Sequence, residues 1–379
     1  MNLQDFKVER YFARYEFTAR YLLSSSDCDG FSMNYVLGLA SEGEKEQWDN
    51  LKLGYTETTG SEILRQSIQQ HYQTIALDEV VVSSPGEANF ILMNVLLHAG
   101  DHVICMAPMY QSLYQVAKDL GCAVSFWEPA QNEKQWYYDP ADLEKLITAN
   151  TRLIVINFPH NPTGFSPDID DFNAIVSIAR LHGITLFSDE MYRFLHHGSS
   201  AVLPSACDLY ENAVSLWGMA KTFGLPGLRL GWLTSRNREI LKKVESFKDY
   251  LSICNNAPGE ILATIALNNS DKFVNPNLEK IRANMLIFEQ FHSRHADFFD
   301  YLKPVSGSTA FIKLKINETA MDFAEKLVKE TGIMLLPSET FEYGHKHARI
   351  GFGRENMGSV LQLLDNYLND HKVILLSKG

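Results

Sequence analysis

Residues 151–192 read TRLIVINFPHNPTGFSPDIDDFNAIVSIARLHGITLFSDEMY. Thr151 to Phe158 is an apolar run of strand length, and Ile184 to Ser188 is another. Between them, Ile169 to His182 repeats its apolar residues at helical spacing. Strand, helix, strand with short buried strands predicts a mostly parallel sheet covered on both faces. Ligands of such sheets sit at the carboxyl ends of the strands. Both strands here end in polar residues and turn formers: Asn157-Phe158-Pro159-His160-Asn161-Pro162-Thr163-Gly164 after the first, Ser188-Asp189-Glu190-Met191-Tyr192 after the second.

The same alternation extends outward. Glu79 to Ser84 and His102 to Ala107 read as strands, Glu87 to His98 and Tyr110 to Leu120 as helices, and Asn212 to Trp217 and Leu228 to Thr234 as further strands. After about Ser270 the pattern changes. A long helical stretch, Asn277 to Phe299, precedes strand-like Ala310 to Ile316, helix-like Ala320 to Thr331 and strand-like Ala348 to Phe352. The expectation is an α/β fold with a large domain over 41–275 and a smaller α+β domain made of 1–40 with 276–379. A chain of 379 residues suits such a division.

Composition excludes several classes. A formal net charge of −12 argues against a nucleic-acid partner, which needs a basic face. Five widely spaced cysteines, with no C-x-x-C, argue against a disulfide framework or a zinc site and for a reducing compartment. No apolar stretch approaches bilayer-spanning length, and the first ten residues hold no apolar signal core. These points lead to the expectation of a cytoplasmic protein without metal.

One further segment carries chemistry: Trp217-Gly218-Met219-Ala220-Lys221-Thr222-Phe223-Gly224-Leu225-Pro226-Gly227-Leu228-Arg229-Leu230-Gly231. A lysine amine that can lose its proton forms an imine with an aldehyde. An arginine eight residues on offers a planar fork to a phosphate. The bland alternative is a surface lysine before a loop. Asp189 ends an apolar run, and a buried carboxylate is costly unless paired. A protonated ring nitrogen suits it; a helix cap or an arginine partner would serve as well. Asn161-Pro162, with Gly164 behind it, makes a rigid turn where a ligand would lie. No G-x-G-x-x-G follows the early strands, so a Rossmann dehydrogenase fits poorly.

Asn161-Pro162-Thr163-Gly164, Ser188-Asp189-Glu190-x-Tyr192 and Lys221-x7-Arg229-x-Gly231 together resemble the pyridoxal-phosphate-dependent aminotransferases of class I/II, fold type I. The likeness spans Tyr55 to Arg349. It implies a three-layer sandwich around the mostly parallel sheet, with pyridoxal 5′-phosphate as cofactor. It implies that Lys221 holds the cofactor as an imine and moves the proton, that Asp189 pairs with the ring nitrogen, and that Asn161 and Tyr192 donate to the phenolic oxygen. It further implies that Arg229 clamps the phosphate with the Gly86 and Glu87 backbone, that Tyr110 stacks on the ring, and that Arg349 grips the substrate carboxylate. Tyr55 matches a tyrosine that reaches the neighbouring subunit's phosphate, which implies a homodimer with shared sites. The activity implied is transfer of an amino group between an α-amino acid and a 2-oxo acid.

Two positions depart from the family. Gly218 stands where a phosphate-binding serine is common, and Pro85 stands where a backbone donor is expected. Both point to fewer phosphate contacts. Arg10-Tyr11-Phe12, Ser24-Ser25-Ser26, Asn157-Phe158-Pro159-His160-Asn161-Pro162 and Lys248-Asp249-Tyr250-Leu251 carry a narrower resemblance to the capreomycidine synthases, which implies cyclase or lyase chemistry on a modified arginine. Asp27, Asp29 and Glu16 could then face a cationic side chain; otherwise they form a solvated acidic loop. A non-catalytic protein on the same fold is disfavoured because Lys221, Asp189, Tyr192 and Arg229 are all present.

Overall fold

The computed structural model describes residues 3–132, 135–198 and 202–376. Seven strands form the main sheet: β1 (Val80–Ser83), β2 (His102–Met106), β3 (Ala123–Trp127), β4 (Thr151–Asn157), β5 (Thr185–Asp189), β6 (Ala213–Gly218) and β7 (Gly231–Thr234). Their order is β1-β7-β6-β5-β4-β2-β3. Only β7 runs against its neighbours. It follows β6 without an α-helix between them, and a connection too short for a crossover returns antiparallel. Lys221 lies on that connection.

Alternate residues of a strand face opposite sides. Val214 and Leu216 of β6 therefore join one buried cluster with Ile154 and Leu186, while Trp217 joins a second with Trp232 and Phe223. The sheet is thus covered on both faces. A second sheet holds β8 (Phe299–Asp300), β9 (Thr309–Leu314), β10 (Leu336–Pro337) and β11 (His347–Gly351), all antiparallel in the order β8-β9-β11-β10.

The N-terminal segment docks on this second region. Helix α1 (Lys7–Tyr15) is followed by Tyr21–Leu22, which pairs in parallel with Ile333–Met334. The chain then runs as a strap over β11: Gly351 N donates to Leu23 O, and Asp29 N to Gly353 O. A Cβ at Gly351 would stand 1.7 Å from Ser25 O, and one at Gly353 2.4 Å from Asp27 O. Glycine is needed at both places for the two backbones to touch.

Three sequence expectations shift. Helix α2 (Pro85–Leu96) starts at Pro85 rather than Glu87, with the proline at its first position, where no N–H is needed. Tyr110 to Leu120 is not one helix. A 3-10 turn at Gln111–Leu113 and a short helix at Gln115–Asp119 meet at Tyr114, whose φ is −137°. Tertiary contacts override propensity there: Gln111 caps Lys7 N and Asp5 O, and the Tyr114 hydroxyl donates to Glu342. Helix α3 (Asp271–Arg294) begins six residues before the expected Asn277 and includes Pro276. The proline leaves the Lys272 carbonyl without its helical donor, and the Tyr35 hydroxyl donates to that carbonyl at 3.0 Å.

Candidate active site

A cavity of about 490 Å³ opens at the carboxyl ends of β4, β5 and β6. Asn157 and Asn161 follow β4, Asp189 and Tyr192 follow β5, and Lys221 and Arg229 follow β6; all line the cavity. Tyr110, Gly86 and Arg349 line it too. One space therefore collects residues scattered over more than 260 positions of sequence.

Each side chain is held by identifiable contacts. Asn157 accepts from Asn161 N at 2.8 Å and donates to Asp189 O at 2.8 Å, tying the ends of β4 and β5 together. Below them His160 bridges Pro108 O at 2.9 Å and Thr163 Oγ at 2.7 Å. Burial pulls its pKa down to about 3, so the ring is neutral. Ala107-Pro108, Phe158-Pro159 and Asn161-Pro162 are cis.

Asn161 Oδ1 accepts from Arg349 at 3.1 Å, which fixes the amide so that Nδ2 is its free donor. Arg349 is buried, and its Nε donates to Ser24 O at 3.0 Å. Phe12 and Phe341 lie against its guanidinium. Burial lowers the Arg349 pKa, while Tyr192 and Asp27 favour its charge.

Asp189 accepts from Met191 N at 3.1 Å. Burial pushes its pKa up to about 7; the Met191 bond opposes this, Glu190 adds to it, and Lys221 opposes it weakly. A carboxylate so poorly compensated calls for a cation beside it. Lys221 Nζ donates to Ser26 Oγ at 2.9 Å.

Arg229 does not sit on a strand, as the sequence suggested. It follows a 3-10 turn at Pro226–Leu228, has φ of 51° and is exposed, with Nη1 donating to Pro226 O at 3.2 Å. Arg229 lines the cavity, where an anion could accept from its other guanidinium donors. The first N–H groups of α2 have no carbonyl partner within the helix. A Cβ at Gly86 would meet nothing within 4 Å, so that backbone is open to a ligand. The Glu87 side chain does not face solvent freely. It accepts from Ser83 Oγ at 2.9 Å and from Ser252 N and Oγ at 3.1 and 3.0 Å, which turns its charge from the helix start toward a neighbouring loop.

The remaining expected residues are placed as follows. Tyr110 donates through its hydroxyl to Glu9, and its ring meets Phe6 at 4.7 Å. Tyr55 is 90% exposed and does not line the cavity of its own chain. Asp29 is also absent from the lining. It accepts from Lys280 at 3.1 Å, Glu355 N at 2.8 Å and Arg354 at 3.3 Å, so its charge serves the strap rather than a ligand. Asp27 lines the cavity but accepts from Arg354 at 2.9 Å. Glu16 lines it as well, with a pKa raised by burial, Asp27 and Glu9 and lowered by Lys221 and Arg354.

Sequence reading missed Glu9, Phe12 and Asn89 in the lining, and Ser26 lines it together with Asp27. Spacing did hold a signal for two of them: Glu9, Phe12 and Glu16 recur at helical intervals on one face of α1 and its end. Asn89 had none, and the bond between Ser26 and Lys221 exists only in the folded chain.

Gly218 is explained by packing. A Cβ there would stand 2.8 Å from Gly231 Cα and 2.9 Å from Leu230 O. A Cβ on Gly231, its partner across the β6–β7 pair, would stand 2.7 Å from Trp217 O and 2.9 Å from Pro85 Cγ. The two strands close on each other and on the start of α2, leaving no room for serine at 218.

The residues fit pyridoxal 5′-phosphate. A lysine amine, a buried carboxylate wanting a cation, a free amide donor and an open helix start with an exposed arginine converge on one space. Among the described residues no helix is long and apolar enough to cross a membrane, and no cluster of histidine, cysteine, aspartate or glutamate could hold a metal.

A family model described as aminotransferase class I and II matches residues 21–363. Among curated relatives, an aspartate aminotransferase of Sulfurisphaera tokodaii is 29% identical over 329 residues, covering 82% of this chain and 81% of its own. A capreomycidine synthase of Streptomyces vinaceus is 27% identical over 354 residues, covering 92% and 88%. A PLP-dependent aminotransferase structure from Streptococcus suis superposes over 100% of both chains, with a TM-score of 0.91 and 27% identity. The PLP-dependent cyclase OrfR shares the fold, at a TM-score of 0.88 and 24% identity over 98% of both chains.

Proposed function

The chain belongs to the aminotransferase class I and II family, and on that premise we propose that it moves an amino group between an α-amino acid and a 2-oxo acid, with Lys221 as the residue joined to pyridoxal 5′-phosphate. The observation that carries this is the convergence of Lys221, Asp189, Asn161 and Arg349 on one cavity.

When bound, the cofactor supplies a conjugated ring that accepts the electron pair left at Cα. The protein's residues do the rest. Asp189 holds a proton on the ring nitrogen by supplying the matching charge. Asn161 Nδ2 and the Tyr192 hydroxyl donate to the phenolic oxygen. Arg229 and the N–H groups of Gly86 and Glu87 hold the phosphate, and Tyr110 lies against the ring. Arg349 binds the substrate carboxylate; two of its three guanidinium nitrogens are fixed to Ser24 and Asn161, so its plane is set in advance. Lys221, once free, takes the proton from Cα and returns it elsewhere. Tyr55 completes the phosphate site of a second copy, which makes a homodimer the working unit.

Borohydride should fix the cofactor on Lys221, located by peptide mass spectrometry. A Lys221→Ala protein that still traps it covalently would contradict the assignment. Amino acids offered singly should convert the bound cofactor to its amine form, releasing the 2-oxo acid.

A second reading is cyclase or lyase chemistry on an arginine-like substrate. It is favoured by the Glu9, Glu16 and Asp27 carboxylates along the cavity, which suit a guanidinium tail. Loss of water or formation of a ring without amino transfer would select it. Both readings start by removing the Cα proton.

A further inference from the structure

The bond from Lys221 Nζ to Ser26 Oγ joins residues 195 apart in sequence. Ser26 is buried and lines the cavity. Its backbone is clamped. Ser308 Oγ donates to Ser26 O at 2.6 Å, and the residues on either side lie directly on Gly351 and Gly353, where any Cβ would collide with them. Asp27, next along, is tied to Arg354. The hydroxyl therefore sits on a part of the strap that has no slack.

A lysine amine rotates about its terminal bond and swings on a flexible stem. To act as a base, its lone pair has to face the proton it takes, and small errors of direction cost rate. One N–H held on a fixed hydroxyl removes most of that rotation.

We propose that Ser26 is a positioning residue for proton transfer by Lys221: it accepts one amine N–H and so directs the lone pair at the substrate Cα. The inference rests on Lys221 being the base of the preceding section. In the step itself the Cα–H bond breaks, its electron pair stays with Cα, and the proton joins the Nζ lone pair. The ammonium keeps its bond to Ser26 until it passes the proton on. Ser26 neither gains nor loses a proton.

The test measures deuterium entering Cα. Protein loaded with pyridoxal 5′-phosphate is placed in D2O with L-arginine, L-aspartate or L-alanine, and the amino acids are read by mass spectrometry. Ser26→Ala and Ser26→Cys, the latter close in size but a weak acceptor, should exchange about tenfold more slowly than wild type, the worth of one hydrogen bond to a charged or reacting group. Their dissociation constants for pyridoxal 5′-phosphate, read separately by fluorescence, should stay within about threefold of wild type, because that bond breaks when Lys221 joins the cofactor. Exchange at the wild-type rate in either variant overturns the proposal. So does a loss that merely tracks weakened cofactor binding, which would mark Ser26 as structural. A wild-type protein that exchanges none of the three amino acids overturns instead the assignment of Lys221 as the base.

Discussion

At the scale of single residues, Asp189 is the most exacting. Its folded pKa of about 7 lies above the ordinary carboxylate value of 3.8. The folded state therefore favours the protonated form. Its contribution is complete below about pH 4 and is lost as pH rises toward 7, a difference of about 4 kcal/mol by linkage. Without added cofactor, Asp189→Asn should be more stable than wild type at pH 8, and the gap should close near pH 4. Urea unfolding at both pH values checks this. Equal stability of the two proteins at pH 8 would mean that Asp189 is already compensated. Glu16 tests the arginine-like reading, since it lines the cavity. Burial first, then the like charges at Asp27 and Glu9, raise its pKa, and a cationic substrate tail beside it would relieve that cost. Glu16→Gln should lower kcat/KM for arginine about tenfold and leave alanine within about twofold. A uniform loss across substrates would rule out charge recognition.

At the scale of elements, the β6–β7 pair decides what the phosphate site contains. Restoring a serine by Gly218→Ser should not tighten cofactor binding. It should destabilise the protein by about 1–3 kcal/mol, because the new Cβ meets backbone atoms of Gly231 and Leu230 rather than a yielding side chain. Thermal unfolding with and without pyridoxal 5′-phosphate separates the two outcomes. Helix α3 makes a smaller case. Tyr35→Phe removes the donor to the Lys272 carbonyl that Pro276 leaves open, and about 1 kcal/mol of stability should go with it. Sequence periodicity found α3 but placed its start after the proline. The hydroxyl that satisfies the broken position comes from 237 residues away.

At the scale of the whole molecule, Tyr55 tests the assembly. It is 90% exposed and does not line its own cavity. If it serves a partner's phosphate, Tyr55→Ala and Lys221→Ala should each be inactive alone. Mixed and reassembled, they should recover about a quarter of wild-type activity, because half the dimers are hybrids carrying one intact site. No recovery from a mixture shown to exchange subunits would place Tyr55 outside the site. The strap is the other long-range device. Arg354 and Lys280 hold its acidic residues, beside the segment that brings Ser24 to Arg349 and Ser26 to Lys221.

Much of this was legible in the chain. Alternating apolar runs of two periods specify strands and helices through local physics, so the parallel sheet followed from order alone. Lys221, Asp189, Asn161 and Arg229 stood out by residue type and by their place beside apolar runs, while Tyr192 and the roles toward the cofactor came from the resemblance to the family. Other features were not legible. The reason for Gly218 lies in a backbone thirteen positions on, and the charge of Asp29 is absorbed by Lys280 and Arg354. Glu9 enters the cavity only because α1 docks there, and Ser26 meets Lys221 only across the closed strap. These depend on which surfaces come within a few ångströms after folding, and a linear pattern carries no distance between residues hundreds of positions apart. The sequence by itself determined which chemical groups the protein can present; the tertiary structure alone decided which of them share a cavity, which are neutralised by neighbours, and which way the amine of Lys221 points.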